Sequence, residues 1–111
     1  MTTYLATTFS PAMLGKRTKA SVREISLVEA KKEMRKNDWI SAVGHENTAN
    51  VLTALLGCEV KFNRVNLSLA AGDNVICIIP NFRASEAREF TRAEVEAAGY
   101  RCFYIKAQEA L

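Results

Sequence analysis

The chain has 111 residues, with 15 Lys or Arg against 12 Asp or Glu and a formal charge of +3. That length makes one domain, residues 1–111, with a core of ordinary size. So small a charge excess does not build the basic coat that duplex nucleic acid requires, and no duplex partner is expected. No apolar run reaches the roughly 20 residues that cross a bilayer, so no membrane partner is expected. The N-terminus carries no charged-then-apolar signal pattern, and cytoplasmic residence is the expectation.

Residues 4–9 read as a first strand, which Ser10-Pro11 ends with turn chemistry. The basic cluster at 16–19 reads as a solvated turn. Residues 20–25 read as a second strand with Val22 and Ile25 facing inward. Ser26 opens a capping box with Glu29 and predicts a helix over 27–36. Residues 39–43 read as a short buried strand ending at Gly44. His45, the only histidine, follows at once. Residues 47–56 predict the most apolar helix, closed by Gly57, with Val51, Leu52, Leu55 and Leu56 spaced to bury one face.

Residues 59–64 and 65–69 read as strands around the polar pair Asn63-Arg64. Gly72-Asp73-Asn74 is a turn signal, and the apolar run at 75–79 marks a central strand covered on both faces. The polar stretch 81–90 predicts an exposed loop. Thr91 makes a second capping box with Glu94, the helix stops at Gly99, and 100–106 read as the last strand. Strands alternating with helices predict an α/β fold: a single mixed β-sheet with about three helices packed against it.

Cys58, Cys77 and Cys102 are odd in number and lack zinc-site spacing, so they read as buried, reduced thiols. There is no Asp-x-Asp cluster for a metal, no Gly-rich phosphate loop and no dinucleotide fingerprint. Neither a metal nor a cofactor is expected.

The remaining chemistry gathers at the Gly44-His45 corner. A strand-to-helix corner aims backbone N–H groups outward, where anions bind. It also sets a side chain that exchanges protons near neutral pH beside that anion. Neither residue offers the side-chain oxygen of a good N-cap, so helix stability does not explain the pair. Gly44, Asn47 and Thr48 are therefore candidate ligand contacts; Thr48 adds a hydroxyl, or simply starts the helix. Arg64 reads as a phosphate ligand or a solvated turn arginine. Arg83 and Glu86, three apart, can point the same way. Arg83 would clamp a phosphate and Glu86 would hold the imidazole in one tautomer, or the two form a surface ion pair.

Tyr4-Leu5, Phe9-Ser10, Met13-Leu14, Gly44-His45 with Thr48-Ala49, Leu55-Leu56-Gly57, Asn63-Arg64, Gly72-Asp73 and Arg83-x-x-Glu86 together resemble the viral ring nucleases. These are anti-CRISPR proteins of archaeal viruses and bacteriophages. The resemblance implies a homodimer in the host cytoplasm that binds cyclic tetra-adenylate, the messenger of type III CRISPR defence. It implies cleavage without a metal: a ribose 2′-OH attacks its neighbouring phosphate, leaving linear di-adenylates that end in a 2′,3′-cyclic phosphate. His45 would protonate the departing 5′ oxygen, Glu86 would orient it and Arg83 would stabilise the developing charge. Arg64, Ser10 and Thr48 would hold ring phosphates or riboses, and Thr7 joins the ligand contacts. The chain departs from the family at Thr7-Thr8, at Ile79-Pro80 and at Ala87. A protein that sequesters a cyclic oligonucleotide without cutting it is the alternative; a small dimeric DNA-binding protein is a third, disfavoured because the sequence offers no helix rich in Lys and Arg.

Overall fold

Local sequence signals set the helix boundaries. In the computed structural model, which describes residues 1–81 and 91–110, the Ser26 hydroxyl accepts the Glu29 N–H while Glu29 accepts the Ser26 N–H. This capping box starts helix α1, Leu27–Lys36. Thr91 and Glu94 start helix α3, Arg92–Ala98, in the same way. Helix α2, Glu46–Leu56, ends at Gly57, whose φ of 72° is the left-handed conformation that glycine tolerates best.

Strands β1 (Thr3–Ala6), β2 (Thr18–Ile25), β3 (Trp39–Ser41), β4 (Asn74–Pro80) and β5 (Tyr100–Glu109) form one sheet in the order β2-β5-β4-β1-β3. β1 pairs in parallel with β3 and with β4, while β5 runs antiparallel to β4 and β2. A single mixed five-stranded sheet with three helices is thus the fold that the sequence predicts.

Alternation along the strands sends side chains to opposite faces. On one face Leu5, Ile25, Ile76, Ile78, Cys102 and Tyr104 pack with Met34 of α1, Leu52 and Leu55 of α2 and Val95 of α3. On the other, Ala6, Val75, Cys77, Ile105 and Ala107 lie under Met13, Leu14, Leu67 and Leu69. β4 is buried from both sides, as its apolar run predicts.

Several expectations change. Residues 59–64 and 65–69 are not strands; the segment makes only an isolated bridge, Leu14 with Leu69. Side-chain bonds stand where a ladder would run. The Asn63 amide donates to the Ser41 carbonyl at 2.6 Å, and the Ser41 hydroxyl donates to the Lys61 carbonyl at 2.6 Å. Val22 is 57 % exposed although Ile25 is buried. Residues three apart on a strand face opposite ways, and Val22 lies on the face without helices, at the edge strand. β1 ends at Ala6 and β3 at Ser41, shorter than expected, and Thr18-Lys19 begin β2 rather than continuing the turn at Lys16-Arg17. The expected loop at 81–90 lies, beyond Asn81, outside the described residues.

Cys77 and Cys102 are buried but Cys58 is exposed, because it follows the α2 cap instead of lying in a strand. Burial pushes the Cys77 thiol up to about 12 and that of Cys102 up to about 11. Reagents that need a thiolate should label Cys58 in the native protein, and all three cysteines only in denaturant; mass spectrometry of the labelled chain checks the count. Leu52, fully buried in the α2 interface, should lose about 2–5 kcal/mol of stability on Leu52→Ala in denaturant unfolding.

Candidate functional site

Because β1 and β3 run in parallel as neighbours, their chain exits meet at one edge of the sheet. The Ala42 N–H continues the pairing by donating to the Leu5 carbonyl at 2.8 Å. The β1 exit leads on to β2, at the far side of the sheet, and the β3 exit leads into α2. Crevices beyond the carboxyl ends of parallel strands are the usual ligand sites of open α/β sheets. Here the crevice is a groove of about 520 Å³, walled by the turn after β1, the corner after β3 and residues 64–67.

Five sequence-derived candidates line this groove: Thr7, Ser10, Gly44, His45 and Arg64. They come from three segments far apart in the chain. Thr8 and Asn66, which sequence reasoning did not select, line it too. Asn66 belongs to the polar run Asn63-Arg64-x-Asn66, which interrupts an otherwise alternating segment and is the signal that could have revealed it. Asn47 and Thr48 occupy the first turn of α2, half-buried, and do not line the groove. Arg83 and Glu86 lie outside the described residues.

His45 is the N-cap of α2, with extended backbone (φ −133°, ψ 133°) and no capping bond from its side chain. Its carbonyl accepts the Ala49 N–H at 3.0 Å, so the backbone starts the helix while the exposed imidazole stays clear of it. The imidazole has no hydrogen-bond or ion-pair partner among the described residues, which leaves both ring nitrogens for a ligand. The positive end of the α2 dipole lies at the same point and favours an anion there. Glu46, in the first turn, carries the one opposing charge that this turn contributes.

Arg64 lines the same groove as His45, with its side chain beside Gly44. Its loop is tied to the end of β3: the Asn63 N–H donates to the Val43 carbonyl at 2.9 Å, besides the Asn63–Ser41 bond already described. Gly44 does not have a positive φ, so backbone freedom does not require glycine there. A Cβ at Gly44 would stand 3.7 Å from Arg64 Cγ, an ordinary contact. Ser10 caps the short 3-10 turn Pro11–Met13 by accepting the Ala12 N–H at 3.3 Å, and its hydroxyl hydrogen remains able to donate. One imidazole, one guanidinium, two threonine hydroxyls, a serine hydroxyl and a helix N-terminus thus surround a groove that suits a phosphate-bearing ligand. Among the described residues, no three His, Cys, Asp or Glu side chains come together as a metal group. No helix is long and apolar enough to cross a membrane among those residues.

Residues 3–102 match the family model described as STIV B116-like. Uncharacterized protein ORF117 of Acidianus two-tailed virus is 35 % identical over 106 residues, covering 93 % of this chain and 91 % of its own. Uncharacterized protein 26 of Sulfolobus islandicus filamentous virus (isolate Iceland/Hveragerdi) is 36 % identical over 91 residues, covering 81 % and 77 %. The fold is similar to that of B116 of Sulfolobus turreted icosahedral virus, with a TM-score of 0.83, 20 % identity and coverage of 96 % of this chain and 99 % of that one. The extent of these matches, running through the groove segments from β1 to β5, makes the chain a member of the STIV B116-like family of viral proteins.

Proposed function

We propose that the groove binds cyclic tetra-adenylate and that the protein is a metal-independent ring nuclease, acting as an anti-CRISPR in the host cytoplasm. The observation that carries this reading is the meeting of His45 and Arg64 at the N-terminus of α2, in a groove also lined by Thr7 and Ser10. An RNA ring supplies its own nucleophile, so the protein must hold the phosphodiester, align the 2′-OH and protonate the leaving oxygen. Arg64 and the N–H groups of α2 hold the phosphate. As the 2′ oxygen bonds to phosphorus and releases its own proton to water, the bond from phosphorus to the 5′ oxygen breaks and His45 donates a proton to that departing oxygen.

Arg83 and Glu86 complete the reading: Arg83 offsets charge growing on the phosphorane oxygens, and Glu86 orients the imidazole. They follow β4, which runs in parallel with β1 and so ends at the same sheet edge. Gly44, Asn47 and Thr48 contribute backbone and hydroxyl contacts from the corner. A two-fold homodimer suits a ring of two-fold symmetry, since each subunit then presents one copy of every catalytic group.

Incubating the purified protein with labelled cyclic tetra-adenylate in excess chelator tests the whole reading. Linear di-adenylates ending in a 2′,3′-cyclic phosphate are expected. A ring that is bound but intact would point to sequestration, and a ring that does not bind would refute the assignment. His45→Ala should lower the single-turnover rate by about 10²- to 10⁴-fold with affinity nearly kept; equal losses in both would make His45 a binding group alone. Asn63→Leu should weaken ring affinity without contacting the ring, because the Arg64 loop loses its tie to Ser41. A calorimetric titration that finds wild-type affinity would remove Asn63 from the account.

A further inference from the structure

A second cavity lies at the opposite end of β3. Met34 and Leu56, at the ends of α1 and α2, are each 7 % exposed, whereas Leu52 and Leu55 deeper in the core are 0 % exposed. Trp39, the first residue of β3, packs against the same core edge. With Lys31, Arg35 and Cys58 they enclose about 300 Å³, at the small end of the range for ligand pockets. This cavity shares no residue with the groove at His45.

Its walls are apolar but its charge is one-sided. Lys31 and Arg35 are four residues apart and therefore neighbours on one face of α1. Like charges at that spacing destabilise a helix. The side chains of Lys31 and Arg35 have no ion-pair or hydrogen-bond partner among the described residues, and, unlike the equally unpaired Lys32, both line the cavity. No Asp or Glu lines the cavity. The Trp39 indole N–H is a further donor without a protein acceptor among those residues. Helix-end electrostatics accounts for Arg35, in the last turn of α1, but not for Lys31 in its middle.

We infer that this cavity binds an amphipathic carboxylate. The apolar tail lies against Trp39, Met34 and Leu56, and the carboxylate bridges Lys31 and Arg35. Its volume suits a free medium-chain acid rather than a docked helix. The inference is independent of the reading given for the groove.

Trp39 is the only tryptophan in the chain and lines both this cavity and a neighbouring one formed with Ser41, Glu59 and Phe62, so its emission is read together with the protection of Cys58, which lines this cavity and not that one. Decanoate, titrated below its micelle-forming concentration, should shift Trp39 emission saturably; decanol should act more weakly and decylamine not at all. The double variant Lys31→Ala/Arg35→Ala should lose roughly tenfold or more in decanoate affinity, as expected for charge-assisted bonds. Its thermal unfolding should be no lower than that of the wild type, since neither side chain has a partner to lose and their mutual repulsion is removed. Decanoate should also slow the reaction of Cys58, the exposed cysteine, with a bulky maleimide. The inference fails if the emission does not saturate, if decylamine acts equally, or if the double variant binds as the wild type does. It also fails if the emission change follows protein concentration instead of ligand, which would make the cavity a contact between copies.

Discussion

Parallel pairing of β1 with β3 on one side and β4 on the other is the constraint on which the remaining geometry depends. Parallel neighbours end at the same edge, so the Thr7–Ser10 turn and the Gly44-His45 corner leave the sheet together, at the edge where β4 also ends. A site assembled this way needs no long-range side-chain network of its own. The backbone ladder aligns its walls, and the buried strand β4 anchors them from the sheet's centre. An antiparallel neighbour would send one exit to the far edge and divide the groove.

The two faces of the sheet play different parts. All three helices pack on one face, which gives α2 a rigid footing through Val51, Leu52, Leu55 and Leu56. That footing holds the N-terminus of α2, and His45 with it, against the end of β3. The other face is covered by the irregular chain before β2 and between α2 and β4, which also delivers Arg64 to the groove. Irregular backbone here is positioned by single bonds, with Asn63 clasping Ser41 and Val43. Precision at Arg64 therefore rests on a few polar contacts, whereas precision at His45 rests on core packing.

Much of this could be read from residues because the signals are local. Capping boxes at Ser26 and Thr91, the stop at Gly57 and the apolar run of β4 each act within a few residues, and the structure follows them. The Gly44-His45 corner was legible for the same reason. The failures are tertiary. Residues 59–69 alternate like a strand, but side chains from β3 and from Asn63 occupy the bonding positions that a ladder would use. Val22 has strand chemistry, yet its inward or outward sense depends on which face the helices choose. Asn66 enters the groove only through the path of a loop, and no spacing rule encodes that path.

The proposed function requires that the groove at the carboxyl ends of β1 and β3 receive the cyclic adenylate. One histidine in the chain gives one set of imidazole signals, so magnetic resonance can watch that position alone. Titration with a ring whose 2′-OH groups are blocked against cleavage should move the His45 imidazole signals and the Arg64 guanidinium signal together and saturably. Signals that stay in place while the ring binds elsewhere, or fails to bind, would contradict it.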